Sequence, residues 1–142
     1  MTAFNLDAFL PYRLAVAASR ISKALERRYA AKTGISMPEW RVLAHLSQGD
    51  EVSVREIEAR VDMEKSKVSR AASRLDKAGL VKKVTNPDDR RLVSLSLTDE
   101  GKAMMAQLAP IAAEFQAEVG KLLGADRELF EARLKDLMEF KI

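Results

Sequence analysis

Between Lys65 and Leu97 the spacing of apolar residues changes once, and that change limits what the chain can build. Val68, Ala71, Ala72 and Leu75 recur at the three- and four-residue steps of one helix face. Gly79 follows, a residue suited to the left-handed conformation that closes a helix, and Leu80 is the hydrophobic follower such a cap takes. The period then shortens to two. Leu80–Val84 and Leu92–Leu97 are β-compatible arms, and in the second Val93, Leu95 and Leu97 share one side, Leu92, Ser94 and Ser96 the other. Asn86-Pro87-Asp88-Asp89 joins the arms as a turn, since proline and short acids favour one.

The remaining segments read as helices. Leu10, Leu14, Ala17, Ile21 and Leu25 make the apolar face of a helix running from about Leu6 to Ala31, ended by Gly34. Ser36 predicts an N-cap, with Pro38 in the first turn and Glu39 at capping-box spacing, for a helix striped by Trp40, Leu43, Ala44 and Leu46. After a Gly49-Asp50-Glu51 turn, Ser53 and Glu56 repeat the box before a short helix that buries Val54, Ile57 and Val61. Asp62-Met63 interrupts it ahead of the Lys65–Ala78 helix. Thr98 caps a long helix with Asp99 and Glu100 in its first turn, an apolar stripe from Met105 through Leu108, Ala112, Phe115 and Val119 to Leu122, and a bend near Pro110. Gly124-Ala125-Asp126 breaks that helix, and Asp126 caps a last one carrying Leu129, Phe130, Leu134, Leu137 and Phe140.

The fold class is therefore mainly α with a small β-hairpin (α+β), in one domain spanning residues 1–142. Charged residues at 32% and hydrophobic ones at 47% are a globular composition. No run approaches the roughly 18 apolar residues of a membrane span, and the N-terminus lacks the basic and apolar segments of a signal peptide. A cytoplasmic location without a membrane partner is expected. The absence of cysteine excludes disulfides and thiolate zinc sites, and a single histidine offers little to a transition metal, so no metal or cofactor is expected. Neither a glycine-rich phosphate loop nor a paired nucleophile and base is visible, which argues against an enzyme.

Net charge is +3, but its distribution is uneven: residues 64–91 hold nine basic and four acidic side chains, while residues 92–142 are net negative. Such concentration is the first footprint of a nucleic-acid surface. Two short helices, a tight turn and a hairpin are the order of a winged helix-turn-helix, whose second helix enters the major groove. On that helix Lys67, Arg70, Arg74 and Lys77 form a basic stripe at steps of three, four and three, flanked by Ser66, Ser69 and Ser73. Long cations reach phosphates and guanine edges, and serines let the helix settle into the groove. Arg55, on the preceding helix, joins the DNA-contacting set. In the hairpin, Arg91 suits the narrow minor groove, Asp89 two residues earlier braces it, and Arg90 reaches a backbone phosphate.

The stretches "SVREIEARVDMEKSKVSRAASRLDKAGLVKK" and "NPDDRRLVSLSLTDEG", with "ISMPEWRVLAHL" before them, resemble the MarR family of bacterial transcription regulators over nearly the whole chain. Asp89, Arg91, Leu97, Thr98 and Gly101 match that family's wing pattern. The resemblance implies a sequence-specific DNA-binding regulator, commonly a ligand-responsive repressor, acting as a homodimer on a palindromic operator of double-stranded DNA. It implies dimerisation helices at about residues 1–33 and 99–142, flanking a winged helix-turn-helix at about 36–98. It also implies a small aromatic or anionic effector, for which Arg20, Lys23, Trp40 and His45 are the candidate pocket. Independently, Leu6, Phe9 and Leu10 at one end and Leu134, Leu137, Met138 and Phe140 at the other are more apolar than a small monomer leaves exposed. The alternative that the residues leave open is a helical interaction module whose basic face meets an acidic protein.

Overall fold

The computed structural model describes residues 3–49 and 51–141. Asp50, in the middle of the turn expected at 49–51, lies outside the described residues, as do Met1, Thr2 and Ile142. The chain is mainly helical: α1 (Leu10–Thr33), α2 (Met37–Ser47), β1 (Val52–Ser53), α3 (Val54–Val61), α4 (Lys65–Lys77), β2 (Val81–Thr85), β3 (Val93–Leu97), α5 (Asp99–Leu123) and α6 (Arg127–Met138). It divides into two compact units, one ending at Leu108 and one beginning at Ala109.

In the first unit, local capping chemistry sets most element ends. Gly34 closes α1 at φ 75°, its N–H donating to the Ala30 carbonyl. Ser36 and Glu39 form the full reciprocal capping box on α2. The Ser53 hydroxyl accepts from the Glu56 N–H to open α3. Asp62 closes that helix at φ 51°, a left-handed conformation that aspartate tolerates better than most side chains. Gly79 (φ 78°) ends α4 in a Schellman motif: the Leu80 N–H reaches the Leu75 carbonyl at 2.9 Å and the Gly79 N–H that of Asp76 at 3.0 Å.

Three features differ from expectation. The first helix starts at Leu10; Leu6–Ala8 forms a separate 3-10 turn capped by Asn5, and the extended Phe9 intervenes. A third strand, β1, adds to the hairpin, giving an antiparallel sheet of order β1-β3-β2. The hairpin arms themselves begin at Val81 and Val93, because Leu80 belongs to the helix cap and Leu92 to the turn.

The core of this unit is a triangle of helices on one sheet face. Val42, Leu43 and Leu46 of α2, Ile57 of α3, and Val68, Ala71, Ala72 and Leu75 of α4 are buried, with Val52, Val81 and Leu95 from the sheet. The register pairs Val81 with Leu97, Lys83 with Leu95 and Thr85 with Val93, so these six side chains share the core-facing side. On α1 the side that meets α2 holds Ser22, Glu26 and Tyr29. Arg41 donates to the Ser22 hydroxyl at 3.3 Å, and the Met37 N–H donates to the Glu26 carboxylate. Tyr29 stacks on Trp40 with ring centroids 4.8 Å apart.

In the second unit α5 runs on to Leu123 unbroken through Pro110, and a 3-10 turn at Gly124–Asp126 leads into α6. Asp126 occupies the N-cap position, but its side chain makes no capping bond. Gly120 leaves room for the Arg127 guanidinium, which pairs with Glu131 at 3.2 Å. Leu122, placed in the apolar stripe by its spacing, is 87% exposed, and α6 buries none of its residues.

Tyr29 carries an unusual cost. It is fully buried, its hydroxyl has no hydrogen-bond partner among the described residues, and burial pushes its pKa from 10.0 to about 12. Removing an orphaned polar atom without changing ring packing is favourable. Tyr29→Phe is expected to raise stability by about 1 kcal/mol in chemical denaturation near neutral pH. In the parent protein the unfolded state releases this proton near pH 10 and the folded state only near 12, so stability falls as pH rises through that window. The Phe variant lacks that part of the alkaline loss, which denaturation midpoints at pH 8 and pH 11 compare directly.

Candidate nucleic-acid interface

Helix α4 presents three distinct faces. Its apolar residues are sealed in the core, and Ser66 and Ser73 point away from it into solvent. One flank carries Lys67, Arg70 and Arg74; the other carries Lys65 and Ser69 and looks toward the wing. Ser66, Lys67, Ser69, Arg70, Arg74 and Lys77 are all exposed, as is Arg55 on α3. Among the described residues Lys67, Arg70 and Lys77 form no ion pair. Arg74 differs: its Nε lies 3.6 Å from Glu39, a carboxylate that is also occupied by the Ser36 hydroxyl at 2.6 Å. Arg74 thus ties α4 to the start of α2.

The wing tip is built by short side chains. Asn86 Oδ1 accepts from the N–H groups of Asp88 and Asp89, and the ladder closes with Asn86 N–H on the Leu92 carbonyl and Leu92 N–H on that of Asp89. Asp89 then holds Arg91 in a two-pronged grip, Nε to Oδ1 at 3.0 Å and a terminal nitrogen to Oδ2 at 3.1 Å, while Oδ1 also accepts the Arg91 backbone N–H. Those bonds hold the Asp89 carboxyl below the usual carboxylate range, with the Arg55 charge acting in the same direction. The brace expected from the sequence is present. The Arg91 side chain remains 81% exposed, so it is aimed without being consumed. Arg90 is exposed beside it.

Thr98 and Gly101 join this surface to α5. The Thr98 hydroxyl donates to the Gly79 carbonyl at 2.6 Å and accepts from the Gly101 N–H at 3.0 Å; its own N–H donates to the Leu80 carbonyl at 3.1 Å. A side chain on Gly101 would overlap that same Leu80 carbonyl. The end of α4, the end of β3 and the start of α5 therefore meet at one point. The sequence marked Thr98 as a cap and Gly101 as part of a pattern, but not this joint, because the partner carbonyls lie about twenty positions upstream.

Sequence reasoning also passed over a crevice of about 90 Å³ between α3, α4 and the wing, where Arg55, Glu58, Lys65, Ser69, Lys83 and Arg91 converge. Lys83 was the legible member, since alternation from Val81 puts it on the inner sheet face.

The four residues proposed for an effector are not brought together within the chain. Arg20 and Lys23 line a shallow groove on α1 with Tyr12, Val16 and Ser19. They lie away from the Ser22–Glu26–Tyr29 side that meets α2. Trp40 is half-buried against Tyr29, and His45 Nδ1 is held 2.8 Å from the Arg41 carbonyl.

Helices α3 and α4, the left-handed turn at Asp62 and the β2–β3 wing define a winged helix-turn-helix protein. Residues 33–92 match the MarR family model, and solved structures similar to the chain include MarR-family transcription regulators. The repressor MdtR of Bacillus subtilis is 39% identical over 70 residues, covering 49% of this chain and 45% of MdtR. The chain spans about half the length of MdtR and of a second curated relative. Among solved structures, PcaV of Streptomyces coelicolor, in complex with its natural ligand, is 25% identical with a TM-score of 0.76, covering 98% of each chain. A MarR variant from Escherichia coli complexed with operator DNA superposes at TM-score 0.79 with 23% identity, over 96% of this chain and 99% of that one. No described helix is long and apolar enough to cross a membrane.

The joint is open to test. Gly101→Ala is expected to destabilise the fold by about 2 kcal/mol or more, because the obstacle is backbone that cannot swing aside. Thr98→Val removes a cap and a bridging hydroxyl, for about 1–2 kcal/mol, and Thr98→Ser restores most of it. Urea titrations of the three variants compare these losses.

Proposed function

We propose that this protein is a DNA-binding transcription regulator that acts as a homodimer, represses from a palindromic operator and responds to a small aromatic or anionic ligand. One observation carries the DNA reading: the exposed cations and serines of α4 stand beside an arginine aimed from the wing by its own carboxylate. Helix α4 enters the major groove, where Arg70 reaches a guanine edge while Lys67, Lys77 and Arg90 take phosphates. Arg91 probes the minor groove. The MarR–operator complex, which shares this fold, supports that placement.

Homodimerisation rests on exposed apolar side chains near both termini. Leu6, Phe9 and Leu10 are 45–57% exposed, and Leu129, Phe130, Leu134 and Leu137 are 39–61% exposed along α6. A second copy covering them would set two α4 helices about 34–36 Å apart, one turn of DNA. For the effector, the exposed Arg20 and Lys23 beside Tyr12 offer cations and an aromatic ring to an aromatic acid, and PcaV with its natural ligand supports ligand responsiveness.

Fluorescence anisotropy against duplexes from the DNA flanking its gene tests the reading. Arg70→Ala is expected to cost about 1–3 kcal/mol and to relax sequence preference, whereas Arg91→Ala weakens all duplexes more evenly and flattens the salt slope. Equal affinity for every duplex, unmoved by both substitutions, would instead favour a module whose basic face meets an acidic protein.

A further inference from the structure

Among the described residues Glu58 is the one acid lining the crevice between α3, α4 and the wing, where Arg55, Lys65, Lys83 and Arg91 supply the cations. One of its carboxylate oxygens is sealed from solvent and accepts no hydrogen bond from any described residue. Among the described residues Glu58 also forms no ion pair within 4 Å. A buried, unpaired carboxylate oxygen is unfavourable and seeks a donor. Of the four cations, Arg91 is committed to Asp89 and the Arg55 charge also acts on that carboxylate, which leaves Lys65 and Lys83, both exposed, as the donors facing Glu58 from α4 and β2. The same two lysines flank the route by which a DNA backbone would pass between α4 and the wing.

We propose that Glu58 is an affinity-limiting residue of the DNA interface, an internal competitor that draws Lys65 and Lys83 away from a backbone phosphate entering the crevice. The proposal rests on the DNA-binding reading. A phosphate entering the crevice must share the charge of the lysines with the Glu58 carboxylate, so part of the crevice's positive potential is withheld from any duplex, whatever its sequence. Glu58 thereby weakens sequence-independent binding while leaving the α4 base contacts untouched, and widens the gap between operator and bulk DNA.

The test is anisotropy of the full chain against a short mixed-sequence duplex over a salt series, with thermal melts of each variant. Glu58→Gln keeps shape and removes charge. It is expected to bind this duplex roughly five- to tenfold more tightly, the scale of one partly exposed charge pair, with a salt slope steeper by about one. Glu58→Ala should do the same. With Lys65→Gln and Lys83→Gln also present, the gain should vanish. Unchanged or weaker binding by Glu58→Gln while the parent binds would overturn this inference alone, and so would a gain that survives loss of both lysines. A parent protein that fails to bind any duplex at low salt would overturn the DNA-binding reading, and this inference with it.

Discussion

The hydroxyl of Thr98 fixes where α4, the sheet and α5 meet. It bridges the carbonyl left over at the end of α4 and the N–H left over at the start of α5, two helix termini that would otherwise each need a partner. One side chain satisfies both, and the Leu80 carbonyl between them accepts the Thr98 N–H. Gly101 lets the backbones approach closely enough for this to happen. The sheet, α4 and the first turns of α5 are consequently held by one set of hydrogen bonds. No flexible linker stands between them.

Much of this was legible because it is local. Gly34, Ser36, Ser53, Gly79 and Thr98 all terminate or start elements where their chemistry predicts, since a cap involves only the next three or four residues. The Asp89–Arg91 brace was visible for the same reason, its members standing two residues apart. What was hidden is long-range or too short to show a period. Strand β1 is two residues long, and its partner Leu95 lies more than forty positions away. Arg74 fits a basic stripe by spacing, yet its pairing with Glu39 depends on how α2 and α4 pack. Glu58 reads as an ordinary solvated helix position until the wing folds over it. Trp40 and Arg20 look like neighbours only when the direction in which α1 faces α2 is ignored.

The wing shows how electrostatics can orient a cation without neutralising its use. Asp89 fixes the direction of the Arg91 guanidinium, and Asn86 fixes Asp89 through the backbone of the turn. The chain of support runs from a turn residue to a carboxylate to a cation, and the Arg91 side chain at its end remains 81% exposed. Order is thus imposed before any partner arrives, which lowers the entropy lost on contact.

Glu39 extends that logic to a release mechanism. Its carboxylate accepts from the Ser36 hydroxyl and backbone N–H as well as lying beside Arg74. If Arg74 turns toward another anion, Glu39 keeps its remaining donors and its place at the head of α2. The guanidinium can therefore change hands without orphaning a charge.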